Sequence, residues 1–325
     1  MRILVTGACG FIGHHVVAEF IENGHEVIAL DRLDQTSTMM RLADMENVKF
    51  VWHDLRSPIN SLVANMIGHV DAIFHLAAST HVDRSIANGM SFVFDNVVGT
   101  GELLEYARTL PNLKLLLNFS TDEVFGPAPD GVAYKEFDRH DARNPYSATK
   151  AGAEELVHAY GNTYGIPVMT SHCMNAFGEG QHPEKFIPFV LRCLLEGKSV
   201  PIHVAPNDGP PGSRFYIYVK DIGRMMRGIL DKVVDGTLTL PNKMNIPGVA
   251  ELDNLEMAQL IAKHAGIPLK YDLVDFHSTR PGHDLRYALD DARIKEIGLA
   301  QYTEMDEAMR LTVQWYLERK EWLLV

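Results

Sequence analysis

The sequence predicts an α/β fold built on a doubly wound parallel sheet. Short runs rich in Ile, Leu and Val alternate with helical patterns through residue 172, and runs that are apolar throughout mark parallel strands covered on both faces. A glycine-rich turn directly follows the first run and opens a helix. Length agrees, since 325 residues suffice for one large α/β domain with a smaller lobe.

In chain order, residues 2–6 form the first strand, followed by the glycine turn. A helix follows through Val16, Val17, Phe20 and Ile21, and Asn23-Gly24 ends it. Strands follow at 26–30, 48–52 and 70–76. Residues 92–108 read as a helix with apolar positions at Val93, Val97, Leu103, Leu104 and Ala107. A fifth strand at 113–119, a helix at 149–164 and a sixth strand at 168–172 complete the regular part. Beyond it, prolines at 183, 188, 201, 206, 210 and 211 break the pattern, leaving a helix at 184–195 among loops. A strand at 215–219, a helix at 220–231 and a strand at 243–246 lead back toward the main sheet, and helices at 255–265 and 306–319 close the chain. Residues 1–172, with 215–247 returning to them, are expected to form the sheet domain; 173–214 and 248–325 form the lobe.

Composition removes several classes. Thirty Lys and Arg against 42 Asp and Glu leave a net charge of −12, unsuited to neutralising a nucleic-acid backbone. Three distant cysteines, Cys9, Cys173 and Cys193, make neither a disulfide framework nor a Cys-x-x-Cys pair. No run approaches the roughly 18 apolar residues of a membrane span. The apolar start holds three glycines and reads as strand and turn, not a leader, so a cytoplasmic protein is expected. The fifteen histidines show no standard zinc spacing, and no metal is expected.

Gly7, Gly10 and Gly13 are spaced Gly-x-x-Gly-x-x-Gly around Phe11 and Ile12. Glycines there let backbone approach a pyrophosphate at a helix N-terminus, which points to a dinucleotide. Asp31, 18 residues beyond Gly13, suits a ribose 2′-hydroxyl and repels a 2′-phosphate, so NAD is expected over NADP. Arg32 is adjacent and able to accept a phosphate. Asp54, before Leu55, serves either the adenine edge or a helix N-cap. Leu76, Ala77 and Ala78 end the fourth strand with small residues that let backbone lie along a cofactor; His75 before them reads as a core histidine.

Tyr146 and Lys150 are spaced i, i+4 and share a helix face. An ammonium beside the phenol favours phenolate, and Lys150 is also placed to hold the nicotinamide ribose. Ser120-Thr121-Asp122-Glu123 follows the fifth strand, at the carboxyl end where open parallel sheets bind ligands. Two acids in one site split their proton affinities, one staying protonated.

These motifs, with His81-Val-Asp-Arg-Ser-Ile86, Asn96-Val-Val-Gly-Thr100, Pro183-Glu-Lys-Phe-Ile-Pro188 and Arg280-Pro-Gly-His-Asp284, together resemble the extended short-chain dehydrogenase/reductase superfamily and, within it, the nucleotide-sugar 4,6-dehydratases. The Thr-Asp-Glu triplet discriminates, because sugar 4-epimerases of the superfamily usually lack that acid pair. The resemblance implies a Rossmann-type doubly wound parallel sheet with a smaller C-terminal substrate-binding lobe, and recycled NAD to which Asn96 also contributes. It further implies that Tyr146 takes the 4-hydroxyl proton as hydride leaves carbon 4, with Thr121 orienting that hydroxyl. Glu123 then removes the carbon 5 proton, protonated Asp122 serves the departing 6-hydroxyl, and hydride returns to carbon 6. Asn175, Lys185, Arg214, Arg280 and His283, with His81, become candidates for the NDP-hexose. Helices 92–108 and 149–164 would form a four-helix homodimer interface. Phe125 stands where the family has Tyr, and 213–219 departs from its usual pattern, so the base stays unassigned. A 4-epimerase, a decarboxylase or a 5,6-dehydratase on this scaffold, or a catalytically silent NAD-binding sensor, are the rivals.

Overall fold

A computed structural model describes residues 1–204, 209–240, 242–275 and 286–324. Its strands are β1 Arg2–Thr6, β2 Glu26–Asp31, β3 Val48–Trp52, β4 Ala72–His75, β5 Leu115–Thr121, β6 Val168–Cys173, β7 Asn175–Phe177, β8 Val200–Val204, β9 Ser213–Tyr218, β10 Asn242–Ile246, β11 Ala250–Asp253 and β12 Tyr271–Asp275. Helices are α1 Phe11–Glu22, α2 Ser61–Ile67, α3 Val82–Ala87, α4 Gly89–Phe92, α5 Gly99–Ala107, α6 Pro145–Tyr164, α7 Phe186–Leu195, α8 Val219–Val234, α9 Asn254–Ala265, α10 Ala292–Glu296 and α11 Met305–Glu318.

Seven parallel strands form one sheet in the order β10-β6-β5-β4-β1-β2-β3. Successive residues of β1 show why both faces must be covered. Ile3 and Val5 pack with Val16 and Phe20 of α1 and Met226 of α8, whereas Leu4 packs on the other side with Leu103 of α5 and Val157 of α6. The lobe has its own core, in which Leu191 of α7, Ile261 of α9 and Tyr316 of α11 are fully buried.

Several boundaries move, and each shift affects the site. The fifth strand runs on to Thr121, so Ser120 and Thr121 end it and Asp122–Phe125 forms a 3-10 turn. The helix expected at 149–164 starts at Pro145, capped by the Asn144 side chain, which puts Tyr146 in the first turn. The helix expected at 92–108 starts at Gly89 and contains a π turn, Val93–Val98. The strand expected at 215–219 joins β7 and β11 in a small separate sheet, so only α8 and β10 return to the large one. Strand β8 was hidden by Pro201, which a two-stranded sheet tolerates because both its strands are edges.

Arg41 couples the sheet domain to the lobe. Its guanidinium is buried and donates to the carbonyls of Cys9 at 2.8 Å, Thr36 at 2.9 Å and Gly180 at 2.8 Å, and it lies 5.4 Å from the Trp322 ring. Arg41→Met removes these donors and leaves buried carbonyls unpaired, so thermal unfolding should show a loss of about 2–4 kcal/mol. An unchanged midpoint would show that the two parts are held elsewhere.

Candidate active site

The first glycine turn is dictated by backbone approach. Gly7 has φ +68°, and a Cβ there would lie 2.7 Å from the Ala77 nitrogen; a Cβ on Gly13 would lie 2.0 Å from the Gly7 carbonyl oxygen. Only glycines allow β1, the loop after β4 and the start of α1 to come this close. The result is a bare cradle of backbone at a helix N-terminus, opening onto a cleft of about 840 Å³. That is at the upper end of the roughly 300–1,000 Å³ of small-molecule and cofactor sites.

The cleft is lined by Gly7, Gly10, Phe11, Ile12, Gly13, Leu76 and Ala78 at one end, and by Thr121, Asp122, Glu123, Tyr146 and Lys150 at the other. Asp31, Asp54, Leu55 and Ala77 line a side pocket that shares Gly7, Gly10 and Arg32 with it. The Asp31 carboxylate accepts from Cys9 N at 3.0 Å, Leu33 N at 2.8 Å and Ser37 Oγ at 3.1 Å, which rigidifies the pocket wall. Arg32 is fully engaged by carboxylates: Asp95 at 2.5 Å, Asp34 at 3.1 Å and Asp54 at 3.9 Å. Three acids around one arginine leave the pocket acidic and hostile to a 2′-phosphate. Asp54 does not cap a helix: α2 is capped by Asn60, while Asp54 pairs with Arg56 at 2.5 Å. Asn96 stands one layer back, its side chain bonded to Ser79 N, Ser79 O and Thr149 Oγ1. His75 is a core residue held between Thr6 and Thr100, and burial pushes it down to about 3.

At the other end, two elements meet. Strand β5 and the 3-10 turn after it deliver Thr121, Asp122 and Glu123; α6 delivers Tyr146 and Lys150. Asp122 is buried, with Oδ1 accepting from Thr121 Oγ1 at 3.0 Å and Oδ2 buried with no hydrogen-bond partner. Burial, reinforced by the Glu123 charge, raises its carboxyl to about 7. Glu123 Oε2 accepts from Asn144 Nδ2 at 3.1 Å. Burial first, then Glu123 and Asp122, push the Tyr146 phenol above its ordinary value, offset in part by a Thr121 hydrogen bond. This reverses the expectation that Lys150 draws it toward phenolate. Burial lowers Lys150 itself to about 8, and its Nζ donates to Phe119 O at 2.7 Å.

His81, Asn175 and Lys185 line the cleft on the lobe side. Arg214 lies on β9, 5.2 Å from the Tyr287 ring. Arg280 and His283 fall outside the described residues. Asn144 was missed by sequence reasoning, although Asn-Pro before a helix signals a cap; here the same side chain caps α6 and orients Glu123. Phe125 stacks on Tyr134 at 5.6 Å and meets His140 and His172 edge-on, a dry aromatic setting that asks for no hydroxyl.

The sequence profile of the family described as GDP-mannose 4,6 dehydratase matches residues 4–312. The dTDP-glucose 4,6-dehydratase of Escherichia coli is 36% identical over 355 residues, covering 99% of this chain and 95% of that protein. A trifunctional UDP-glucose 4,6-dehydratase/3,5-epimerase/reductase of Arabidopsis thaliana, RHM3, is also 36% identical, but the chain spans about half of it (48%). Among solved structures, DesIV, a dTDP-glucose 4,6-dehydratase from Streptomyces venezuelae with NAD and TYD bound, superposes with a TM-score of 0.88 at 33% identity, covering 100% of this chain and 99% of that one.

Proposed function

The chain belongs to the GDP-mannose 4,6 dehydratase family, and from that premise we propose that it is an NAD-dependent nucleotide-sugar 4,6-dehydratase. It converts an NDP-hexose of the glucose type to the NDP-4-keto-6-deoxyhexose and water. The observation that carries this reading is the acid pair: Asp122 and Glu123 follow β5 directly in the cleft that also holds Tyr146, and Asp122 is buried enough to keep a proton near neutrality.

The glycine cradle and the acidic side pocket fit NAD. When bound, NAD supplies the oxidation at carbon 4 and its reversal at carbon 6. The chain's own groups do the rest. Tyr146 takes the proton of the 4-hydroxyl, which Thr121 orients; because burial and the two carboxylates hold the phenol's proton on, the Lys150 ammonium, with the positive charge of bound NAD, would have to draw it to phenolate first. The 4-keto group acidifies carbon 5, and Glu123, held by Asn144, removes that proton. Asp122 gives its proton to the 6-hydroxyl, which leaves as water. Lys185, Arg214, Arg280, His283, His81 and Asn175 are assigned to the nucleoside diphosphate and sugar.

Because Asp122 must hold its proton, water loss in a single turnover should fall as pH rises through about 7, and Asp122→Asn should abolish that limb. A profile flat across neutrality would remove Asp122 from the acid role.

No described helix is long and apolar enough to cross a membrane. A homodimer in the cytoplasm completes the proposal. Met90 and Phe94 are 60% and 50% exposed on the helical run that packs beside α6, a face suited to a second copy. Light scattering giving a monomer would count against this.

The function is tested by incubation with UDP-, dTDP-, CDP- and GDP-hexoses. A product lighter by one water, bearing a 4-keto group, is expected; an isomer of unchanged mass would point to epimerisation.

A further inference from the structure

Behind the cleft lies a buried charged cluster that the reaction above does not use. Glu154, one turn beyond Lys150 on α6, is 1% exposed. Its Oε1 accepts from Ser120 Oγ. Its Oε2 is approached by three nitrogens from three other segments: His172 Nε2 of β6 at 3.0 Å, His140 Nε2 at 3.3 Å and Lys243 Nζ of β10 at 3.4 Å. His172 Nδ1 faces Asn245 Oδ1 at 3.1 Å. The Asn245 amide is oriented by donating to Tyr134 O at 2.9 Å and Asp290 O at 3.1 Å. The His172 ring therefore sits between two oxygens, Asn245 Oδ1 on one nitrogen and Glu154 Oε2 on the other.

Bonds from α6 reach successive residues at the end of β5. Lys150 donates to Phe119 O, and Glu154 accepts from Ser120. The next residues are Thr121, Asp122 and Glu123. We propose that Glu154 is a positioning residue for the dehydration: clamped by His172, it fixes the end of β5 against α6 and so sets the acid pair against Tyr146 and Lys150. This rests on the function proposed above. The groups facing Glu154 are His140, whose far nitrogen lies 3.5 Å from Glu155, with Lys150, His172 and Lys243. Lys243 Nζ shares the Glu154 carboxylate with His140 and His172, three residues whose ligand atoms also have the spacing of a metal site. The Glu154 charge also supports the Lys150 ammonium against burial.

Full-length Glu154→Gln should turn over about 10²-fold more slowly, with substrate KM and bound NAD unchanged, because misplacement of order 1 Å costs that much. The alkaline fall of the first hydride transfer, read by nicotinamide absorbance, should move down by about one pH unit or more. Ser120→Ala removes the hydroxyl alone and should lose about 10-fold in turnover with no pH shift. If Glu154→Gln does not fold, Ser120→Ala decides. Wild-type turnover in either variant, an unmoved pH profile in Glu154→Gln, or stoichiometric zinc in the purified protein would overturn the proposal. Hydride transfer precedes water loss, so a wild-type protein that oxidises its sugar without losing water would fail the dehydratase reading while this test still stands.

Discussion

Glu123→Gln is expected to stop the reaction at the oxidised sugar. Glutamine keeps the size of the side chain and an oxygen for Asn144 to donate to, so the 3-10 turn after β5 should hold its shape. It cannot accept a carbon-bound proton. Loss of a positioned general base costs about 10²–10⁴-fold, and carbon 5 should keep a deuterium label that the wild type exchanges. A second readout is tied to the same change. The Glu123 charge is the lesser of two causes that raise the Asp122 carboxyl, burial being the larger. Without that charge Asp122 should release its proton at lower pH, so residual water loss should fall off earlier on the alkaline side. Normal exchange at carbon 5 would remove Glu123 from the role.

Tyr146→Phe should have an effect of similar size one step earlier. The ring packs edge-on against Phe92 at 6.4 Å, and phenylalanine preserves that contact. Only the phenolic oxygen is lost, and with it the acceptor for the 4-hydroxyl proton. Oxidation at carbon 4 should slow by about 10²–10⁴-fold while the purified variant retains NAD, since the glycine cradle is untouched. Measuring nicotinamide absorbance on mixing with sugar, and cofactor content after denaturation, separates the two effects. Oxidation at the wild-type rate would exclude the tyrosine.

The parts of this site that could be read from sequence are those written in adjacent residues. Gly7, Gly10 and Gly13 sit within seven residues, Tyr146 and Lys150 within five, and Thr121 to Glu123 within three; each follows a strand or opens a helix. What escaped the sequence is what the sheet assembles from far apart. Glu154 of α6, His140 of the loop before it, His172 of β6 and Lys243 of β10 come together only because β6 and β10 are neighbours under α6. Metal reasoning from histidine spacing could not see this cluster. The state of Tyr146 is likewise illegible in the sequence, because the largest cause that raises its phenol is burial, ahead of the two carboxylates after β5, and burial comes only with the folded sheet. Asp54 was ambiguous until Asn60 emerged as the cap and Arg56 as the partner. The small strands β7 and β11 hold three and four residues, too few for alternation to register.

The position of β10 has a consequence for how the chain is made. The seventh strand leaves the ribosome some seventy residues after its neighbour β6, with the small sheet's β7 and β9 synthesised in between. Until Ile246 is available, β6 presents a fully buried-type strand with one open edge, the kind that pairs with other copies. Stopping the chain near residue 172 would therefore release an aggregating fragment instead of a small cofactor-binding module, and the nascent protein needs its later segments before the earlier ones are safe.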